Sequence, residues 1–529
     1  MAQKAKKWKE YFQPVPTSGQ DPRQFLASSL ASYRAPTRIG GGSGQYLSRV
    51  GGRAKFDGRT SYSELVTTLE NVEKGDAVIT STNGDIETTA ATNIGDTSSN
   101  AAATTTSTAN STTRDEVLDI SATVKLQVGV RSGGTGAAYS NRIVVVPSTG
   151  VITSCTQATI STTTAFEAID ASKLSATTAI VVYGDNATST IYGKILSGLD
   201  TTTTVGAEQT LTTAGDVPEN ALAVVAHSAT AATLFYRNAS NDDIEALALS
   251  ISGATITAGA TATIVSDGAG ASVLYPFKCV RFGTSDFYLL TYVDTTGGTN
   301  VHKAICGSYI DSTWSFGSAV TLQSIATVNV IDADYFDDKF AIVAYKNSTS
   351  HRLTALNRVG TILTAGTQLN LLSGGSANEI VNIARLGKYT VCVGCGDNEI
   401  ALVRRSGNTG LTLAQEGSTT TLATVADTIA VPVYFGPNYV CIVYYRTNYT
   451  AYSYALTTNY SSVFGIAGRT ALASRGASAI LSGYSPHHTG LTVNTIYYAG
   501  IDGALVTAAE GGSVEVGVAL SSTELKITL

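Results

Sequence analysis

Short runs of four to six apolar residues recur along most of the chain, separated by clusters of Asn, Asp, Gly, Ser and Thr. Runs this short, bounded by turn residues, predict strands rather than helices. One run repeats most clearly: KLQVGV ending at Val130, AIVVY at Tyr183, ATLFY at Tyr236, YLLTY at Tyr292, FAIVAY at Tyr345, YTVCVG at Gly394 and YVCIVY at Tyr444. The intervals between those ends are 53, 53, 56, 53, 49 and 50 residues. Each copy is followed by a second strand (STIYGKIL, IEALALSI, VHKAICGSY), a third (TITAGATATIV, ILTAGTQLNLL) and a fourth (NALAVVAH, VNVIDADYF, TIAVPVYF). Four short strands per unit of roughly 40–55 residues is the arithmetic of a β-propeller blade. A flat sheet of about 28 strands would not be stable, so the prediction is a seven-bladed ring over 114–460.

Ring closure is also expected from the sequence. The seventh copy supplies strands near 439–446 and 452–457, where the pattern stops. Ahead of the first copy, RDEVLDISATV carries Val117, Leu118 and Ile120 at the fourth-strand position. That segment, Asp115 to Thr123, is expected to complete blade seven from the other end of the chain and remove its free edges. Residues 88–113, almost wholly Ala, Thr, Ser and Asn, read as an irregular linker.

Composition sharpens the class to all-β. Only 14% of residues are charged while 43% are apolar, and Gly 51 and Tyr 26 stand beside a single Met. Helix-forming charge is scarce, and turns and strands are favoured. No stretch approaches the roughly 18 consecutive apolar residues of a membrane helix, so no membrane insertion is expected. The opening MAQKAKKWKEYF has a basic region without an apolar one behind it; no signal peptide is recognised, and synthesis in a cytoplasm is expected. Six cysteines are too few for a disulfide scaffold. Cys392 and Cys395 form C-V-G-C, but i and i+3 point to opposite faces of a strand and no second pair completes a zinc site; half-buried thiols are the plainer reading.

The net charge of -6 conceals an asymmetry. Residues 1–62 hold eleven Lys and Arg against Glu10, Asp21 and Asp57, while the remainder is acidic by 14 charges. A basic arm on an acidic body can engage nucleic acid, a membrane surface or an acidic protein socket, a solvated tail being the plain alternative. Within the arm, Asp21-Pro22 followed by RQFLASSLASYR predicts a short capped helix with Phe25, Leu26, Leu30 and Tyr33 on one face. One such helix cannot bury that face alone, so the arm is expected to order against a partner. The expected docking residues are Lys6, Lys7, Trp8, Phe25, Leu26, Leu30, Arg34 and Arg38. The Gly40-Gly41-Gly42-Ser43-Gly44 run is no phosphate loop, because no strand precedes it and no G-K-[ST] follows.

After the propeller the texture changes. The segment from Phe464 carries F-G-I-A (464–467), G-L-T (490–492), Y-Y (497–498), D-G-x-L (502–505) and G-x-A-L-S-x-T-x-L (517–525). This wording resembles the small β-domain that ends or punctuates many bacteriophage tail-fibre and other virion proteins. In that family a K-G-D-A-V segment with a D-G-type turn comes shortly before the F-G-I-A strand. Here Lys74-Gly75-Asp76-Ala77-Val78, with Asn83-Gly84-Asp85, stands far upstream. The resemblance therefore implies one discontinuous small domain, 63–87 with 461–529, into which the propeller is inserted. It covers about 65 C-terminal residues and about 25 N-terminal ones.

Catalytic constellations are absent from the sequence pattern. The five histidines, His227, His302, His351, His487 and His488, fit no G-x-S-x-G or H-E-x-x-H spacing, and the last two read as solvated loop residues before metal contacts. The sialidase Asp-box resembles S-x-D-x-G-x-T-W; SYIDSTWSF (308–316) lacks its Gly and sets Asp311 too close to Trp314. Asp332, Asp334, Asp337 and Asp338 cluster at a blade corner, where turn formation is the plainer role beside glycoside hydrolysis or calcium binding. From Tyr439 to Tyr460 lie seven tyrosines. Of these, Tyr444, Tyr445, Tyr449, Tyr452 and Tyr454 are the candidates for host-surface or glycan contact, against the plainer reading as cross-strand pairs. Basic residues do not interleave with them, so no nucleic-acid platform is expected.

The expectation is a non-enzymatic virion protein without cofactor or metal. A tail fibre or similar appendage would dock through 1–62 onto other virion proteins and bind a bacterial surface glycan or protein, as a homo-oligomer in the particle. A capsid-attached head fibre or decoration protein, and a glycan depolymerase, are the alternatives.

Overall fold

The computed structural model describes residues 37–38, 46–47, 52–56, 59–67, 77–80, 86–88, 91–102 and 116–130. It then describes 137–485 apart from connecting stretches of at most ten residues, followed by 488–499, 505–507 and 515–527. Seven antiparallel sheets follow one another along 116–458. Blade one, for example, is Glu116–Ser121, Val124–Val130, Ala138–Val146 and Val151–Ser161. Blade five is Val328–Tyr335, Phe340–Asn347 and Ser350–Val359, with an outer position shared by Ile362–Ala365 and Leu369–Ser373. The innermost strands neighbour one another around the ring, and Ile429–Gly436 of blade seven lies beside Glu116–Ser121 of blade one. The seven-bladed propeller is therefore closed.

The recurring apolar run is the second strand of each blade. In Val124–Val130 and Ala179–Asp185 every residue is buried. Each blade packs against a neighbour on both faces, so these strands read as continuous apolar runs without polar alternation. The cores lie between blades: Phe282, Leu289, Ile331, Val343 and Leu356 join blades four and five. Glycine marks where one blade rides over the next. A Cβ on Gly317 would stand 2.2 Å from the Thr361 carbonyl oxygen, and one on Gly366 would stand 2.0 Å from that of Leu411. Both neighbours belong to the third-to-outer turn of the following blade, which can approach only a residue without a side chain.

The seam differs from the expectation. Glu116–Ser121 opens blade one as its innermost strand, and blade seven is completed on its outside by Ala91–Ala102, paired with Thr450–Thr458. Part of the segment read as a linker is thus the closing strand. An outer strand needs a partner for its backbone but no apolar face; Thr255–Val265, outermost in blade three, is exposed along most of its length. Ala/Thr/Ser wording is compatible with that position.

A further sheet joins chain segments on either side of the propeller. Ala77–Thr80 pairs with Val463–Ala467, with Ala77 opposite Ile466 and Ile79 opposite Val463. Arg59–Thr67 pairs with Gly476–Ser485. Gly52–Phe56 pairs in turn with Arg59–Thr67. Residues 52–56 and 59–62, read as part of the basic arm, therefore contribute strands to this sheet. The expected helix at 21–34 and Lys6, Lys7, Trp8, Phe25, Leu26, Leu30 and Arg34 lie outside the described residues; Arg38 sits in a two-residue strand opposite Tyr46. Thr458 pairs with Ala91 where a third strand ends and an outer strand begins. The small sheet therefore stands on the propeller face that carries the third-to-outer turns.

Candidate functional site

The innermost strands leave a cavity of about 630 Å³ on the ring axis, lined from blades one, four, five, six and seven and by Val506 of the small sheet. Neighbouring inner strands diverge around an axis and are not paired with each other in any sheet. Side chains connect them instead. Asp170 Oδ2 of blade two accepts the Val224 N–H of blade three at 2.7 Å. Asp332 Oδ2 accepts the Ile383 N–H, and Asp334 Oδ2 the Arg385 N–H, each at 2.7 Å, across the junction of blades five and six. The repeat sets these spacings, because a carboxylate one blade-length upstream meets the amide of the next inner strand.

Lys278, on the inner strand of blade four, reaches across the axis. Its Nζ lies 2.6 Å from Glu116 Oε2 of blade one and 3.1 Å from Asp170 Oδ1 of blade two. Lys278 and Asp170 are buried. The triad ties blade four to the neighbouring blades one and two and bridges the channel.

Asp334 retains partial access to the cavity. Burial pushes its carboxyl up to about 7, against the pull of the Tyr335 and Arg385 amides that hydrogen-bond it. Arg385 lies with its guanidinium 4.8 Å from the Tyr335 ring centroid and donates through Nε to the Phe336 carbonyl at 2.9 Å.

The four clustered aspartates thus have separate structural positions. Asp332 and Asp334 are on an inner strand and not in a turn, which corrects the turn reading for them. Asp337 does form the turn, accepting the Lys339 and Phe340 amides at 2.8 and 2.9 Å. Asp338 accepts the Thr284 amide of blade four at 2.8 Å. Asp311 and Ser312, in the segment compared with an Asp-box, have φ of 50° and 63° and form a hairpin turn.

Of the aromatic candidates, Tyr454 is buried at 5% exposure and cannot present its ring to a partner. Tyr444, Tyr445 and Tyr452 lie on the second and third strands of blade seven, while Tyr449 is outside the described residues. A ring cluster that the sequence did not reveal lies between blades three and four. His227 contacts Tyr288 Oη at 2.6 Å and Thr233 Oγ1 at 2.8 Å and stacks on Tyr309 at 3.9 Å between centroids. Trp314 donates through Nε1 to the same Thr233 oxygen at 3.2 Å. Thr233 is wholly buried, so this group serves packing. Its members come from strands of two blades, which no local motif could link. Among the described residues no group of three or more metal-ligating side chains is placed to hold an ion, and Cys155, Cys279, Cys306 and Cys392 are buried free thiols.

No family model matches the sequence, and no curated protein matches it. Solved structures do match. A Bacteroides fragilis protein provisionally named 6-phosphogluconolactonase aligns at 11% identity over 62% of this chain and 89% of its own, with a TM-score of 0.41. AofleA from Arthrobotrys oligospora aligns at 10% identity over 66% of this chain and 96% of its own, TM-score 0.36. The SapL1 lectin, solved with alpha methyl fucoside, aligns at 14% over 56% and 92%, TM-score 0.33. At these levels no residue role passes from them to this chain.

Proposed function

We propose that the protein is a non-enzymatic binding component of a bacteriophage particle, a tail fibre or similar appendage that contacts the bacterial surface. The observation that carries the binding reading is the commitment of the channel carboxylates. A glycosidase needs two carboxyl groups free to address a bond and a water between them. Here Asp332 holds a backbone amide of the next blade and Glu116 and Asp170 hold Lys278, so Asp334, which keeps a lone pair beside each amide it accepts, has no second uncommitted carboxyl among these three to act with. Support for the particle assignment comes from the fibre-like wording of 464–525 and from the pairing of Ala77–Thr80 with Val463–Ala467, segments that follow closely in the resembled family.

The N-terminal basic stretch precedes the small sheet, so anchoring to other virion proteins acts from that side. Several copies on one particle would add weak contacts into useful avidity. The test is deletion of residues 1–36, which leaves every described strand in place. Truncated protein should stay folded and be missing from purified particles, while the full chain is present and, tagged for microscopy, marks the tail. Normal incorporation of the truncation overturns the anchoring role, and a tag on the head shell moves the protein to the capsid.

A further inference from the structure

The cavity wall at the junction of blades five and six carries polar groups that the fold leaves available. Arg385 directs Nε to the Phe336 carbonyl, and its Nη1 lies 3.5 Å from the Tyr335 phenol oxygen. Its Nη2 has no protein partner among the described residues, and neither has the Tyr335 hydroxyl hydrogen. Each Asp334 oxygen accepts one backbone amide, from Tyr335 or Arg385, at 2.7 Å, and keeps a second lone pair. All three residues are half-buried and line the same cavity as Pro432 and Val433, on the inner strand of the neighbouring blade seven, and Val506.

The charge of the wall narrows the ligand. Lys278 is neutralised by Glu116 and Asp170, and Asp119 by Lys125 at 2.6 Å. Arg385 faces Asp334, and Lys388 offsets Asp332, so the wall keeps the one net negative charge of the Lys278 triad and disfavours an anionic ligand such as phosphate. A donor and an acceptor side by side, with a phenol able to do either and apolar side chains on the neighbouring inner strand, match adjacent hydroxyls on a ring with a C–H face. The volume of about 630 Å³ falls within the range of ~300–1,000 Å³ found for small-molecule sites.

We propose that this cup binds a neutral saccharide unit, with vicinal hydroxyls held by Arg385 and Asp334, a further hydroxyl by Tyr335, and the C–H face against Pro432 and Val433. The inference rests on the surface-binding reading and locates the glycan contact in the ring axis instead of on the tyrosines of blade seven. The carboxyl of Asp334, raised to about 7, gives it a signature: an acceptor role strengthens binding from pH 6 to 8 as the carboxylate forms.

The experiment is saturation-transfer NMR on the full chain with methyl glycosides of glucose, galactose, mannose and N-acetylglucosamine, and with glucuronate. At least one neutral glycoside should receive saturation. Arg385→Gln and Tyr335→Phe should each weaken it about tenfold while the melting temperature of Tyr335→Phe stays at the wild-type value. Absence of transfer from every neutral glycoside, transfer from glucuronate alone, or undiminished transfer in both variants overturns the cup. Binding of labelled protein to host cells separates the two ideas. Variants that bind cells as well as wild type sink the cup and leave the surface reading standing. A glycoside held in the cup by wild-type protein that ignores host cells sinks the surface reading and leaves the cup.

Discussion

At the scale of single residues, the most consequential side chain is Lys278. It is buried, and its two carboxylate partners come from different blades. Removing one member of a buried ion pair leaves an uncompensated charge and costs about 3–5 kcal/mol. Lys278→Ala should therefore lower the urea midpoint strongly, and Lys278→Met combined with Glu116→Gln and Asp170→Asn should recover much of the loss; an unchanged midpoint in the single variant would refute the cross-channel tie. Acid sensitivity belongs to this scale too. Burial lowers His302 from 6.5 to about 3, and burial with Arg281 lowers His227 to about 3. A depressed histidine favours the folded chain above 6.5, and that stability is lost as pH falls from 6.5 towards 3, at up to about 1.4 kcal/mol per unit for the fully buried His302. Asp334 acts oppositely: its raised carboxyl favours the fold in acid, and this is lost as pH rises from 3.8 through 7. Two histidines against one carboxyl predict a melting temperature that drops between pH 6.5 and 4. His302→Leu should flatten the drop, which a pH series of thermal melts would show.

At the scale of elements, the closing strand shows what a local pattern can and cannot carry. Second strands were legible because burial on both faces compels an apolar run, as in Ile180, Val181, Val182 and Tyr183, all fully buried. The outer strand Ala91–Ala102 was not, since its place is fixed by backbone pairing with Thr450–Thr458. Starting the chain at residue 103 would expose the edge of Thr450–Thr458 and leave blade seven with three strands. An unpaired edge of that length invites association between chains. The truncated protein should melt lower by at least several degrees and sediment as aggregates, and a synthetic peptide of residues 52–102, which supplies the small-sheet strands together with the closing strand, should restore the monomer. A truncated chain that stays monomeric with an unchanged melt would show that the seam does not depend on this strand.

At the scale of the whole molecule, the small sheet ties the start of the described chain to its end. Val463–Ala467 and Gly476–Ser485 each rely on a strand from before the propeller. Residues 463–529 alone should lack a folded spectrum, whereas residues 52–88 joined to 463–529 by a short Gly/Ser linker should give dispersed amide resonances. Folding of the C-terminal piece unaided would contradict the shared sheet. The same arrangement explains why ring closure and the small sheet meet at blade seven, where Thr458 and Ala91 leave the propeller together.

The sequence by itself determined the repeat, its length, the number of blades and the buried second strand, because burial between neighbouring blades is imposed afresh at every unit and leaves the same apolar run each time. It also held the expectation that Ala77-Val78-Ile79 pairs with a strand after the propeller, and the sheet has that pairing with Val463–Ala467. Tertiary structure alone decided which strand closes the ring, for backbone pairing selects geometry over side-chain type. It likewise decided the roles of Asp170, Asp332, Asp334 and Lys278. Their partners stand a blade or more away, and only closing the ring brings a carboxylate to the next blade's amide or a lysine across the axis.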